Sequence, residues 1–242
     1  MRRLFIRPEQ LASAAGARVP LDDAQRRHLA VLRLADGAEL EVFDGLGARH
    51  LARLTGESIE LTQKLPDRPR GALEAWLAQA LSKADKLELV LQKATELGAA
   101  RVLPFEAERS VVKLEPERAQ HKLERWTRIA QEAARQCGRA EVPAIDAPVT
   151  FAKLLDHALS DPERRVILLD TGALPLTLSQ AARGEMKVVL VVGPEGGFSN
   201  EERALAESKG ALLASMGQLI LRTETAGLVA LSIVRHLAGE LG

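Results

Sequence analysis

Tyrosine is absent from these 242 residues, and aromatics reach only 3%. The core must therefore be aliphatic, and base stacking on aromatic rings is excluded as the main source of any nucleic-acid affinity. Cysteine is nearly absent as well. Cys137 alone cannot form an internal disulfide, and no Cys/His cluster has metal-ligand spacing, so no metal is expected. A reducing, cytoplasmic compartment is the expectation. No run approaches the roughly 18 apolar residues of a membrane span. The basic start Met1-Arg2-Arg3-Leu4-Phe5-Ile6-Arg7-Pro8 lacks the long apolar stretch of a signal peptide. Net charge is missing too, with 33 basic residues against 33 acidic ones. Taken alone, this balance argues against a nucleic-acid binder. Its distribution is uneven. Residues 1–70 hold 12 Lys/Arg against 10 Asp/Glu, residues 101–139 hold 9 against 6, and residues 140–242 hold 9 against 13.

What is present is 46% apolar residues, enough for a globular chain with a real core in one large domain or two small ones. Residues 1–65 read as mostly β. Glu39–Phe43, His50–Leu54 and Ser58–Leu61 alternate in polarity, and a helix opens at Leu21-Asp22. Short strands with turn signals suggest a small barrel. Pro66-Asp67-Arg68-Pro69-Arg70-Gly71 reads as a linker. Beyond it, strands expected at Leu73–Leu81, Val102–Phe105, Arg165–Asp170, Lys187–Val192 and Ala211–Met216 alternate with helices. Those helices are expected at Lys83–Leu97, Pro116–Gln136, Phe151–Leu159, Thr177–Arg183, Glu201–Ser208 and Thr225–Leu237. Such βα alternation predicts a mostly parallel sheet covered by helices.

Two segments carry the chemistry. In Val192-Gly193-Pro194-Glu195-Gly196-Gly197-Phe198-Ser199 an apolar strand runs into three glycines and then a helix, with Ser199 and Glu202 at capping-box spacing. Glycines permit close backbone approach, and free N–H groups at a helix start bind acceptors. The spacing fits neither a Walker A loop nor G-x-G-x-x-G, which argues against a nucleoside triphosphate. A tight strand–helix turn without a ligand fits this segment too. In Met216-Gly217-Gln218-Leu219-Ile220-Leu221-Arg222-Thr223-Glu224-Thr225-Ala226-Gly227 another strand meets a glycine, and Arg222 and Glu224 precede an apolar helix that Thr223 or Thr225 can cap. A capped helix start with a surface ion pair is the plainer account of it. Consecutive βα units put the two loops side by side at the carboxyl ends of strands, where ligands sit in open α/β sheets. The charge runs Lys83–Glu88 and Arg109–Lys113 read as solvated faces. Cys137, beside Arg135 and Arg139, has no histidine near it in sequence to serve as its base.

These segments, with Lys83-Ala84-Asp85-Lys86, Gln92–Gly98, Glu108-Arg109-Ser110, Glu132–Arg139, Arg2-Arg3-Leu4-Phe5 and His28–Leu34, resemble the bacterial 16S ribosomal RNA (uracil-1498-N3)-methyltransferase family along essentially the whole chain. The resemblance implies an α/β fold of the SPOUT class. A PUA-like RNA-binding β-barrel over residues 1–68 would precede a methyltransferase domain over 72–242 with a C-terminal trefoil knot. Topology rules alone would have excluded a knot. It also implies a homodimer, S-adenosyl-L-methionine as cofactor, and 16S rRNA of the small ribosomal subunit as substrate. Carried over by position, the cofactor site comprises Leu169, Gly193, Gly197, Met216, Leu219, Leu221 and Thr223. Leu219 departs from a basic residue in many relatives. Arg222 is expected to stabilise the uracil anion with Glu224 orienting it, and Glu195 and Glu224 are the carboxylates placed to take the N3 proton. Phosphate-contact candidates are Arg2, Arg3, Arg7, Arg26, Arg27, Arg33, Arg109, Arg135 and Arg139. Competing readings are a knotted methyltransferase acting on transfer RNA and a non-catalytic RNA-binding or ribosome assembly factor.

Overall fold

A computed structural model describes residues 2–11, 16–67, 71–82, 84–113, 116–171 and 174–242. Lys83 of the charge run and residues 68–70 of the expected linker lie outside the described residues. The chain forms two compact units, one of residues 1–70 with 131–142, the other of 71–130 with 143–242. Packing therefore divides the molecule differently from chain order, because a short stretch far along the sequence belongs with the N-terminal residues.

The first unit holds β1 (Arg3–Phe5), α1 (Pro8–Leu11), β2 (Arg18–Pro20), α2 (Asp23–Val31), β3 (Glu39–Phe43), β4 (Arg49–Thr55) and β5 (Ser58–Lys64). The strands form one sheet in the order β1-β3-β4-β5-β2. Its pairs are antiparallel except β1 with β3. Alternation exposed β3, β4 and β5 in the sequence. The three-residue strands β1 and β2 are too short for a period to register. Asp22 caps α2, accepting from Gln25 N at 2.8 Å while Gln25 Oε1 accepts from Asp22 N at 2.9 Å. Leu4, Ile6, Leu29, Leu40, Ile59 and Leu61 are among the buried residues that make its core.

The second unit holds β6 (Glu74–Ala80), α3 (Ala84–Glu96), β7 (Arg101–Glu106) and α4 (Pro116–Cys137), whose last residues from Gln131 belong to the first unit. β8 (Ala144–Ile145), β9 (Val149–Thr150), α5 (Phe151–Ala158), β10 (Arg165–Leu169), α6 (Leu178–Ala181), β11 (Lys187–Val192), α7 (Asn200–Ser208), β12 (Leu212–Ala214) and α8 (Thr223–Leu237) follow. Every pair in the sheet is parallel, in the order β12-β10-β11-β6-β7-β8, with β9 also on β7. The period of two sorts side chains between two cores. Ala75, Leu77, Val188, Leu190 and Val192 pack on the face with α3 and α8. Trp76, Ala78, Ala80, Val189 and Val191 pack on the face with Phe151 and Phe198. Burial on both faces explains why these strands read as unbroken apolar runs.

From β12 at the sheet edge the chain returns to place α8 against β6, β11 and α3. Residues 215–222 make that crossing beside residues 176–178. Ser215 N donates to Leu176 O at 3.0 Å, and Leu178 N donates to Ser215 O at 2.8 Å.

Candidate active site

The carboxyl ends of β10 and β11 and the loop after β12 surround a cavity of about 530 Å3. Its size suits a small organic ligand. Leu169, Val192, Met216, Leu221 and Ala226 give apolar wall, and the backbone of Gly193–Gly197 gives a polar one.

Local chemistry fixes the first loop. Gly193 sits where a Cβ would come within 2.8 Å of the Phe198 ring, and Gly197 takes a left-handed φ of 67°. Gly197 N closes a turn on Pro194 O at 2.9 Å. The expected capping box is present. Ser199 Oγ accepts from Glu202 N at 3.2 Å, and Glu202 Oε2 accepts from Ser199 N at 3.0 Å. The other Glu202 oxygen accepts from Glu108 N at 2.8 Å, and Arg109 Nη1 donates to Gly196 O at 3.1 Å. The Glu108-Arg109-Ser110 motif thus braces this loop.

The second loop corrects one expectation. Neither Thr223 nor Thr225 caps α8. The N-cap is Arg222, without a side-chain cap bond, and Thr223 is the first helical residue. Its buried hydroxyl instead donates to Gly193 O at 2.7 Å and accepts from Gln79 Nε2 at 2.8 Å. Gln79, only 1% exposed at the end of β6, lies against Gly227, where a Cβ would stand 3.0 Å from Gln79 Oε1. One polar chain, Gln79–Thr223–Gly193, therefore ties the two glycine-bearing loops together from inside the core. The sequence reading passed over Gln79, since one polar residue in an apolar strand gives no sign of its partner.

Of the residues expected to hold a cofactor, Leu169, Gly193, Gly197, Met216, Leu221 and Thr223 line the cavity. Leu219 is not among them. It stands 82% exposed on the loop, as does its neighbour Ile220, which reaches the cavity. Arg222 and Glu195 line the cavity, and Glu224 adjoins it through Lys86. Three charged lining residues, Lys86, Asp170 and Arg203, are not among the expected site residues. Lys86, in the first turn of α3, lies 2.8 Å from Glu195 Oε1 and 3.5 Å from Glu224 Oε2. The hydrogen bond that Lys86 donates to Glu195, with the charge of both carboxylates, raises the Lys86 pKa against partial burial. Asp170 follows the last residue of β10, accepts from Thr171 N at 2.8 Å, and pairs with Arg203 of α7.

The arginines expected at phosphate divide. Arg2, Arg7, Arg27 and Arg33 are exposed in the first unit, Arg26 pairs with Asp23 and Glu57, and Arg109 is exposed in the second. Arg3 is a correction. Its side chain is 9% exposed, donating to Glu41 at 3.0 Å and to the carbonyls of Ala134 and Arg139 at 2.9 Å each. Its charge is engaged in holding residues 131–142 to the N-terminal strands. Arg135 is half-buried against His28 and Glu132, and Arg139 is partly exposed. Among the described residues no group of acids, histidines and cysteine is arranged to hold a metal, and no helix is long and apolar enough to cross a membrane.

Residues 69–235 match the family model of an RNA methyltransferase domain, and residues 21–62 match that of an RNA methyltransferase PUA domain. The chain is similar to a ribosomal RNA small subunit methyltransferase E of Synechocystis sp., 36% identical over 97% of this chain and 77% of the relative. Its Bacillus subtilis counterpart is 39% identical over 68% of this chain and 66% of its own length. A crystal structure of the Neisseria gonorrhoeae protein of that name, bound to S-adenosyl methionine, superposes with a TM-score of 0.89. It has 30% identity, and the match covers 98% of each chain. A Legionella pneumophila protein solved with bound SAM matches with a TM-score of 0.86 and 31% identity over 97% of this chain and 96% of that one.

Proposed function

The chain belongs to the RNA methyltransferase family, alongside relatives named ribosomal RNA small subunit methyltransferase E, and from that premise we propose that it methylates N3 of uracil-1498 in 16S rRNA with S-adenosylmethionine. It is an S-adenosylmethionine-dependent rRNA methyltransferase with a SPOUT α/β fold and a PUA-like N-terminal domain. The observation that carries the finer reading is the cavity itself. Two glycine-bearing loops with apolar walls meet a cation and two carboxylates at the ends of parallel strands.

The residues present fit the cofactor. Gly193 and Gly197 line the cavity along the first loop, with open space where Gly197 would carry a Cβ, and Leu169, Met216 and Leu221 offer an apolar wall for a flat ring. Bound there, S-adenosylmethionine supplies an already activated methyl group, so the protein's task is placement and charge. Uracil N3–H is weakly acidic, and its proton has to leave as N3 takes the methyl. Of the carboxylates at or beside the cavity, Asp170 is paired with Arg203, which leaves Glu195 and Glu224, both against Lys86, to accept it. Arg222 lines the cavity, and its exposed guanidinium pairs with no carboxylate among the described residues. It stabilises the negative charge that develops on the uracil oxygens.

The substrate is 16S rRNA in the small ribosomal subunit, gripped at phosphates by Arg2, Arg7, Arg26, Arg27, Arg33, Arg109, Arg135 and Arg139, with Arg3 serving the fold instead. Domains of 1–68 and 72–242, a cytoplasmic location and a homodimer complete the reading. In support of the dimer, Ile233, Leu237 and Leu241 line an open apolar groove of about 540 Å3 on and just beyond α8. Calorimetry on the purified protein should show S-adenosylmethionine binding. Nucleoside mass spectrometry of 16S rRNA from a deletion strain should show 3-methyluridine missing. Its persistence there would defeat the uracil assignment, and absence of cofactor binding would defeat the enzyme.

A further inference from the structure

Lys86 lies between the two loops of the cavity, one carboxylate from each within 3.5 Å of its ammonium. Glu195 comes from the loop after β11 and Glu224 from the first turn of α8. Lys86 itself stands in the first turn of α3, where the partial positive charge of a helix start disfavours a cation. Nothing in α3 accounts for a lysine there. The carboxylates do, since Lys86 neutralises the repulsion they would otherwise exert on each other. Burial also costs an ammonium hydration, yet Lys86 remains only partly exposed in the cavity wall. The raised pKa of Lys86 keeps it a cation beside the carboxylates at neutral pH.

We propose that Lys86 is a positioning residue for methyl transfer: it holds Glu195 and Glu224 at the cavity as a pair of ionised acceptors, one of which receives the uracil N3 proton. This rests on the uracil reading above. Glu195 Oε1 is held in a hydrogen bond, whereas Glu224 Oε2 has the charge contact at 3.5 Å but no hydrogen bond. Glu195 lines the cavity, whereas Glu224 Oε2 is buried without a hydrogen bond, so the Glu195 carboxylate is the one that faces a substrate proton. Arg222 remains separate: Glu224 pairs with Lys86 and does not orient Arg222 as expected, so the guanidinium is left for the uracil oxygens.

The test uses the full chain with small-subunit ribosomal particles and measures single-turnover methylation beside the S-adenosylmethionine Kd. Lys86→Met should lower the rate about 100-fold, the scale of a lost proton-transfer arrangement, while the Kd stays within about threefold. Lys86→Arg, which keeps the charge, should recover most of the rate. A merely structural lysine would show parallel losses in rate, Kd and thermal stability. The double variant Lys86→Met/Glu195→Gln should be no slower than the worse single variant, since the two act as one unit. Full turnover by Lys86→Met, or multiplicative losses in the double variant, would overturn the proposal. Should Lys86→Met not fold, Glu195→Gln and Glu224→Gln carry the same comparison, and wild-type rates in both would overturn it. A wild-type protein that binds S-adenosylmethionine yet leaves uracil N3 unmodified would instead refute the substrate reading.

Discussion

The two loops that form the cavity are held in opposite ways. Residues 193–199 are fixed mostly by their own neighbourhood: a turn closed by Gly197, a capping box between Ser199 and Glu202, and glycines where a Cβ would collide or strain. Residues 216–223 have little of this. Their helix lacks a side-chain cap, and Gln218, Leu219 and Ile220 are exposed. What anchors the second loop comes from elsewhere: Gln79 and Gly193 on Thr223, and Lys86 on Glu224. One loop is shaped locally and the other is docked onto it. Arg222, which acts on substrate, is then free to lie on the docked loop, where placement is adjustable.

The largest effect should come from breaking the docked loop's chemistry without its anchors. Arg222→Ala should lower methyl transfer about 100- to 1000-fold, as losing a charge-stabilising donor does elsewhere. The S-adenosylmethionine Kd should stay nearly unchanged, because the exposed side chain pairs with nothing among the described residues that shapes the cavity. Turnover assays with calorimetry check this, and wild-type turnover would sink the role. Next in size is the locally shaped loop. Gly193→Ala puts a methyl 2.8 Å from the Phe198 ring, which belongs to the aromatic cluster with Phe105 and Phe151 and cannot easily yield. The expected cost is about 1–3 kcal/mol in urea denaturation, with weakened cofactor binding.

The link between the loops is predicted to cost less. Thr223→Val removes the hydroxyl while keeping the shape, leaving Gln79 Nε2 and Gly193 O without it. About 1–2 kcal/mol of stability should be lost, and cofactor affinity with it. Thr223→Ser should retain both. If valine and serine behave alike, the second loop is not docked through this hydroxyl.

This difference between the loops also explains what was legible in sequence. Locally determined features were: the helix start at Asp22, the capping box at Ser199, the strand at Lys187–Val192, the parallel sheet, and the glycines of the first loop. Features set by tertiary partners were not. Thr223 has the composition of a cap, and only the position of Gln79, 144 residues earlier, turns it to another purpose. Lys86 reads as one more charge in a solvated run until Glu195 and Glu224 are brought to it. Arg3 reads as a basic tail residue, yet it is spent on carbonyls beyond residue 130. Residue resemblance supplied what periodicity could not, namely that the two strand-end loops serve one ligand.

The smallest effect is expected at Leu219, and it probes the docked loop where nothing holds it. The side chain is 82% exposed and outside the cavity lining, while its neighbours Ile220 and Leu221 contribute to the wall. An exposed side chain with no packing to lose changes stability by no more than about 0.5 kcal/mol on truncation. Leu219→Ala and Leu219→Lys should therefore leave both the denaturation midpoint and the S-adenosylmethionine Kd where they are, because any cofactor contact at this position would be made by backbone. A tenfold weakening in either variant would place the side chain against the ligand, and the loop would then have to close over the cavity to bring it there.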